Sequence, residues 1–94
     1  DCLEAALTCP WEAYLTWIAT LEEGSEARRK MEGVPKYGEI VIDFNHVQML
    51  AHAFDRALAV QTPEQQAWSK QMLSMLHDIH QESAIYLMVR RHRD

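Results

Sequence analysis

The chain predicts an all-α fold, a small helical domain with an N-terminal amphipathic arm and a C-terminal antiparallel helix pair. Three observations carry that expectation. Thr62-Pro63-Glu64-Gln65 opens a run that meets no glycine or proline before Asp94. Trp11, Tyr14, Leu15, Ile18 and Leu21 recur at helical spacing, with Glu12, Glu22 and Glu23 on other faces. Val47, Leu50, Phe54 and Leu58 repeat the same period just ahead of the long run.

In chain order, Leu3 to Leu7 forms a helical turn or kinked extension, because Pro10 removes one backbone bond and disfavours helix in the residue before it. The amphipathic helix starts at Pro10 and ends at Gly24, and Ser25 caps a short continuation through Met31. Gly33-Val34-Pro35-Lys36-Tyr37-Gly38 opposes regular structure and reads as a loop or hinge. Glu39-Ile40-Val41-Ile42 is β-branched and favours an extended conformation, yet no second strand pattern is evident for it to pair with. It is an extended segment on the core, the first turn of the next helix, or a strand paired with its own copy. The first two are favoured.

Asp43 or Asn45 caps a helix that ends near Val60, whose alanines 51, 53, 57 and 59 allow close approach. At the next helix, Thr62 and Gln65 form a capping box, Pro63 suits the first turn, and Arg90, Arg91, His92 and Arg93 suit the negative C-terminal end. From Pro63 to about Arg91 this helix would run roughly 43 Å, against about 26 Å for its neighbour. The organisation expected is one domain over residues 1–94: an arm over 1–32, a loop or extended segment over 33–42, and a helical hairpin over 43–94.

Composition narrows the function classes. The 94 residues are 48% hydrophobic and 24% charged, which suits a folded domain too small for two cores. No apolar run reaches the length of a bilayer span, and Asp1-Cys2-Leu3-Glu4 lacks the basic start and apolar stretch of a signal peptide. A cytoplasmic location is expected. Asp1 in place of Met reads as a trimmed start. Cys2 and Cys9, held roughly 10 Å apart by helix, are expected as free thiols. The net charge of −5 argues against a dedicated nucleic-acid binder, although Arg28-Arg29-Lys30 and the C-terminal arginines leave local basic faces.

Signatures of catalysis are missing from the sequence. His77 and His80 lie three apart and could share a metal with help from His46 or His52, but no third ligand is in place and no Cys-x-x-Cys accompanies them. Solvated or hydrogen-bonded histidines are expected, with no metal and no cofactor. The serines lack a nucleophile elbow, and the three glycines form no phosphate or dinucleotide loop. An enzyme is therefore not expected.

Surfaces are more informative than motifs. The helices carry more apolar face than one small bundle hides, so Trp11, Tyr14, Leu15, Trp17, Ile18 and Leu21 are the expected partner-binding face. Met75, Ile79, Tyr86, Leu87 and Val89, on the unmatched part of the long helix, are the expected homodimer interface.

The short acidic chain, the arm Trp11-Glu12-Ala13-Tyr14-Leu15-Thr16-Trp17-Ile18 and the final Gln65-to-Arg93 helix resemble the QslA-like small helical antiactivators of LuxR-type quorum-sensing receptors. The resemblance implies a non-enzymatic regulator that sequesters a LasR-like transcription factor, covers its dimerisation surface and blocks DNA binding. It supplies no contact residues. The second expectation is a nucleic-acid-associated or DNA-mimicking helical protein, and the third a metal-dependent helical enzyme built around His77 and His80.

Overall fold

The segment Glu39–Ile42 finds its partner near the far end of the chain. In the computed structural model, which describes residues 2–4 and 11–90, Tyr86–Arg90 is a strand that pairs antiparallel with Glu39–Ile42 and parallel with Cys2–Glu4. The order is β1 (Cys2–Glu4), α1 (Trp11–Ile18), α2 (Glu26–Met31), α3 (Gly33–Tyr37), β2 (Glu39–Ile42), α4 (Val47–Ala57), α5 (Pro63–Gln81) and β3 (Tyr86–Arg90). Short 3-10 turns at Phe44–His46 and Leu58–Val60 flank α4. The sheet order β1-β3-β2 makes the last strand the central one.

This mixed α/β architecture corrects the all-α expectation. The long helix does not reach Arg91. It stops at Gln81, where Glu82 turns to an extended φ of −135° and ψ of 93°. Residues 79–89 carry two overlapping apolar periods. The helical one joins Ile79, Tyr86 and Leu87, whereas the strand one sends Leu87 and Val89 to one side and Tyr86 and Met88 to the other. The strand period prevails because pairing with β2 satisfies backbone groups that β2 otherwise has no partner for. Ile40 then sits opposite Val89 and Ile42 opposite Leu87, all on the face that packs on the helices.

Near the N-terminus, residues 2–4 are extended, not helical, while residues 5–10, Cys9 among them, lie outside the description. Arg91, His92 and Arg93 lie outside it too. The expected loop at 33–38 is largely α3, which ends at Gly38 with φ 88°, a left-handed cap whose N–H donates to the Val34 carbonyl at 2.8 Å. Glycine at position 33 has a different reason. A Cβ there would stand 2.5 Å from Cγ2 of Ile40, and a side chain branched at Cβ cannot swing away. Gly33→Ala should therefore lower stability by about 1–2 kcal/mol despite alanine's better helix propensity. Urea unfolding checks this, and the penalty should vanish in an Ile40→Ala background.

Side-chain caps mark the starts of three elements. Ser25 accepts from the Arg28 N–H at 3.2 Å, Asp43 and His46 form a reciprocal box, and Thr62 with Gln65 forms another. The hairpin of α4 and α5 closes where Gln66 Nε2 donates to the Leu58 carbonyl at 2.9 Å. Against it lies α1, whose Trp17 ring centre is 5.2 Å from Phe54, 5.9 Å from Trp68 and 6.0 Å from Tyr14.

A closed polar circuit threads this aromatic centre. Trp17 Nε1 donates to Ser69 Oγ at 2.9 Å, Ser69 donates to Gln61 Oε1 at 2.7 Å, and Gln61 Nε2 donates to Thr20 Oγ1 at 2.9 Å. Thr20 returns to the Trp17 carbonyl at 2.6 Å. Buried Ser69 and Gln61 are thereby satisfied, and among the described residues no buried side-chain nitrogen or oxygen lacks a partner.

Candidate functional site

The structure divides the expected partner-binding face. Tyr14, Trp17, Ile18 and Leu21 are buried, because the stripe of α1 is what the hairpin and α2 close over. Tyr14 also donates its hydroxyl to the Met31 carbonyl at 2.7 Å, which ties α1 to α2. A partner therefore meets only Leu15, which is exposed, and half-buried Trp11, whose ring stacks on Tyr14 at 5.9 Å. The second set divides likewise. Ile79 and Leu87 are fully buried, Met75 and Val89 half-buried, and Tyr86 exposed. An interface built on Ile79 and Leu87 would require taking the core apart.

The histidines are scattered by role. His46 Nδ1 accepts from the Asp43 N–H at 3.2 Å, so it closes a cap. His80 stacks on Phe44 with ring centres 5.8 Å apart and planes 10° from parallel. His77 is exposed. Among the described residues, no group of three or more His, Cys, Asp or Glu side chains is placed to hold a metal ion. Arg28 from the basic cluster is partly used within the fold, reaching the Leu21 carbonyl and Glu32.

Apart from Leu15, the large apolar side chains left on the described surface fall in two places. The first is the sheet side. Strand alternation turns Ile40 and Ile42 inward, so Val41 faces outward, beside the outward positions of β3. Val41 and Tyr86 are both exposed there. Phe44, 44% exposed, follows at the end of β2, and Tyr37, 80% exposed, precedes Gly38 at its start. Sequence reasoning nominated Tyr86 for another purpose and missed the other three. For Val41 the signal was present, since any strand reading of 39–42 puts it opposite Ile40 and Ile42.

The second place is a groove of about 370 Å³ between α2, with the turn that precedes it, and α4. Ala27, Ala53, Ala57 and Met49 line its floor, and Val60, 71% exposed, stands at one end. Glu22 and Glu26 border it on the α2 side, His52 and Arg56 on the α4 side. The groove exists because the facing positions carry methyl groups where larger side chains would have closed the gap. Sequence reasoning noted the alanines of α4 as allowing close approach, without placing what approaches.

Comparison with known proteins assigns a family. Residues 1–91 match the profile of the formate hydrogenlyase maturation protein HycH. The HycH proteins of Escherichia coli K12 and of Escherichia coli O157:H7 are each 81% identical over 94 residues, which is 100% of this chain and 69% of theirs. Hydrogenase-4 component J of Escherichia coli K12 is 47% identical over 91 residues, 97% of this chain and 66% of its own length. No solved structure gives a significant match. These matches overturn the resemblance to quorum-sensing antiactivators and with it the LuxR-type partner. Neither a DNA mimic nor a metal-dependent enzyme fits a maturation protein any better.

Proposed function

This chain belongs to the family of the formate hydrogenlyase maturation protein HycH, and from that premise we propose that it assists maturation of a formate hydrogenlyase-type complex by binding one of its polypeptides without catalysing a reaction. It spans about two-thirds of the length of its curated relatives. Within that length, residues 1–94 work as one domain, in the cytoplasm, where cysteines remain thiols. Among the described residues no helix is long and apolar enough to cross a membrane.

The observation that carries the binding role is the apolar surface on and beside β2 and β3. A fold that satisfies every described buried polar side chain nonetheless leaves Tyr37, Val41, Phe44 and Tyr86 exposed. Aromatic side chains on a rigid surface are the usual anchors of protein interfaces, since they bury large area at small entropic cost. A maturation factor must also release its client, so a transient complex is the expected kind.

The test is an exchange. This chain replaces the matching segment of Escherichia coli HycH in a strain that lacks both curated relatives, and hydrogen evolution from formate is followed. The expected result is restored evolution with the unaltered chain and a loss of tenfold or more with the Val41→Lys, Tyr86→Lys pair. Circular dichroism should show that pair folded, as both positions face solvent. Full activity of the folded double variant would remove the sheet side from the function, and no restoration by the unaltered chain would remove the maturation role.

A further inference from the structure

The groove between α2 and α4 has walls of two kinds of charge over a floor with none. We propose that it is the seat of an amphipathic helix from the client polypeptide, one whose apolar stripe is bordered by basic residues on one flank and acidic residues on the other. The inference rests on the proposed maturation role only for the identity of the client.

Three properties select a helix. The α4 wall is helical throughout, so its backbone hydrogen bonds are already used within the helix. An extended peptide would find no backbone ladder to join, unlike one added to a sheet edge. Secondly, the floor at Ala27, Ala53 and Ala57 is shallow in side chain, which is what lets helix axes approach to about 8–10 Å. Thirdly, the polar groups nearest the floor are committed elsewhere. Ser25 caps α2, and Thr20 belongs to the circuit with Trp17 and Gln61. The floor itself thus offers a small polar ligand no hydrogen-bonding group, and the polar side chains still available stand on the two walls, spaced to flank an apolar stripe.

Charge selects which helix. Glu22 and Glu26 rise from one wall and Arg56 from the other, and among the described residues none of the three has an ion-pair partner. His52 stands on the same wall as Arg56. A helix with one sign on both flanks would meet repulsion at one wall. A mixed helix meets attraction at both, in the manner of the charged positions that border an apolar coiled-coil seam.

Synthetic helical peptides test this directly. Three peptides of about 18 residues, long enough to hold a helix when stapled, share one Leu/Met stripe and differ in their flanks: mixed, both acidic, both basic. Fluorescence anisotropy with the folded chain should show the mixed peptide binding about fivefold or more tighter than either single-sign peptide. Arg56→Glu should move the preference to the peptide with both flanks basic, and Ala53→Leu, which fills the groove, should weaken all three. Equal affinities, a preference unmoved by Arg56→Glu, or binding indifferent to Ala53→Leu would each overturn the proposal. So would light scattering that shows a dimer of the chain abolished by Ala53→Leu, because the groove would then belong to a second copy. In the exchange strain, full activity of an Ala53→Leu chain would sink the groove and leave the maturation role standing, whereas an inactive unaltered chain would sink the role alone.

Discussion

Trp17→Ala should cost about 3–5 kcal/mol, the range for emptying a large buried aromatic site. Against a total of about 5–15 kcal/mol for a domain of this kind, that is enough to leave much of the chain unfolded at 37 °C. Two losses combine. The ring is fully buried and touches Tyr14, Phe54 and Trp68, so its removal opens a cavity among three other aromatic rings. Its Nε1 also supplies the proton that buried Ser69 Oγ accepts, so the variant takes a partner from that oxygen. Trp17→Phe separates the terms. It keeps most of the ring volume, removes the donor, and should cost about 1–3 kcal/mol. Urea unfolding followed by far-ultraviolet circular dichroism measures both. A wild-type midpoint for Trp17→Ala would mean that the ring faces outward, as the partner-binding expectation had it.

Leu87→Ala should destabilise by about 2–5 kcal/mol, while Tyr86→Ala, one residue away, should change stability by less than about 1 kcal/mol. Leu87 is fully buried on the central strand, opposite Ile42 on one side and paired in register with β1 on the other. Tyr86 points the opposite way. Such a contrast between neighbours is the mark of a two-residue period. A continuous helix would place both on neighbouring parts of one face and draw their effects together. Thermal unfolding resolves the difference readily, since about 1 kcal/mol moves the midpoint of a chain this size by roughly 4–8 °C.

Local chemistry was the legible part of the fold. Ser25, Asp43 and Thr62 act as caps because each places an oxygen before unpaired backbone N–H groups, an arrangement that depends on neighbours three residues away and little else. The stripe of α1 was legible as amphipathic, but periodicity says only that a face is apolar, not whether protein or partner covers it. Here the core covers it. The strand at Tyr86–Arg90 was masked by the helix before it, because Ile79, Tyr86 and Leu87 also satisfy a helical period. What decides between the two is β2, more than forty positions upstream, and only the folded chain brings that strand alongside. The groove was less legible still. Its floor is made of side chains too small to leave a pattern, and it becomes a site only when α2 and α4 stand apart at the right distance.

The central position of β3 has a consequence for synthesis. A ribosome delivers Ile40 and Ile42 well before Leu87 and Val89, the residues that cover them. At about 5–20 residues per second, β2 waits roughly 2–9 s for its partner, and β1 waits longer. During that interval the helical hairpin can form from contacts near in sequence, but the sheet cannot, because its pairings span most of the chain. A stalled or truncated product that ends before β3 therefore exposes an unpaired apolar strand, the kind of edge on which aggregation begins. The chain thus passes through a vulnerable stage of its own during synthesis, and the arrival of β3 ends it.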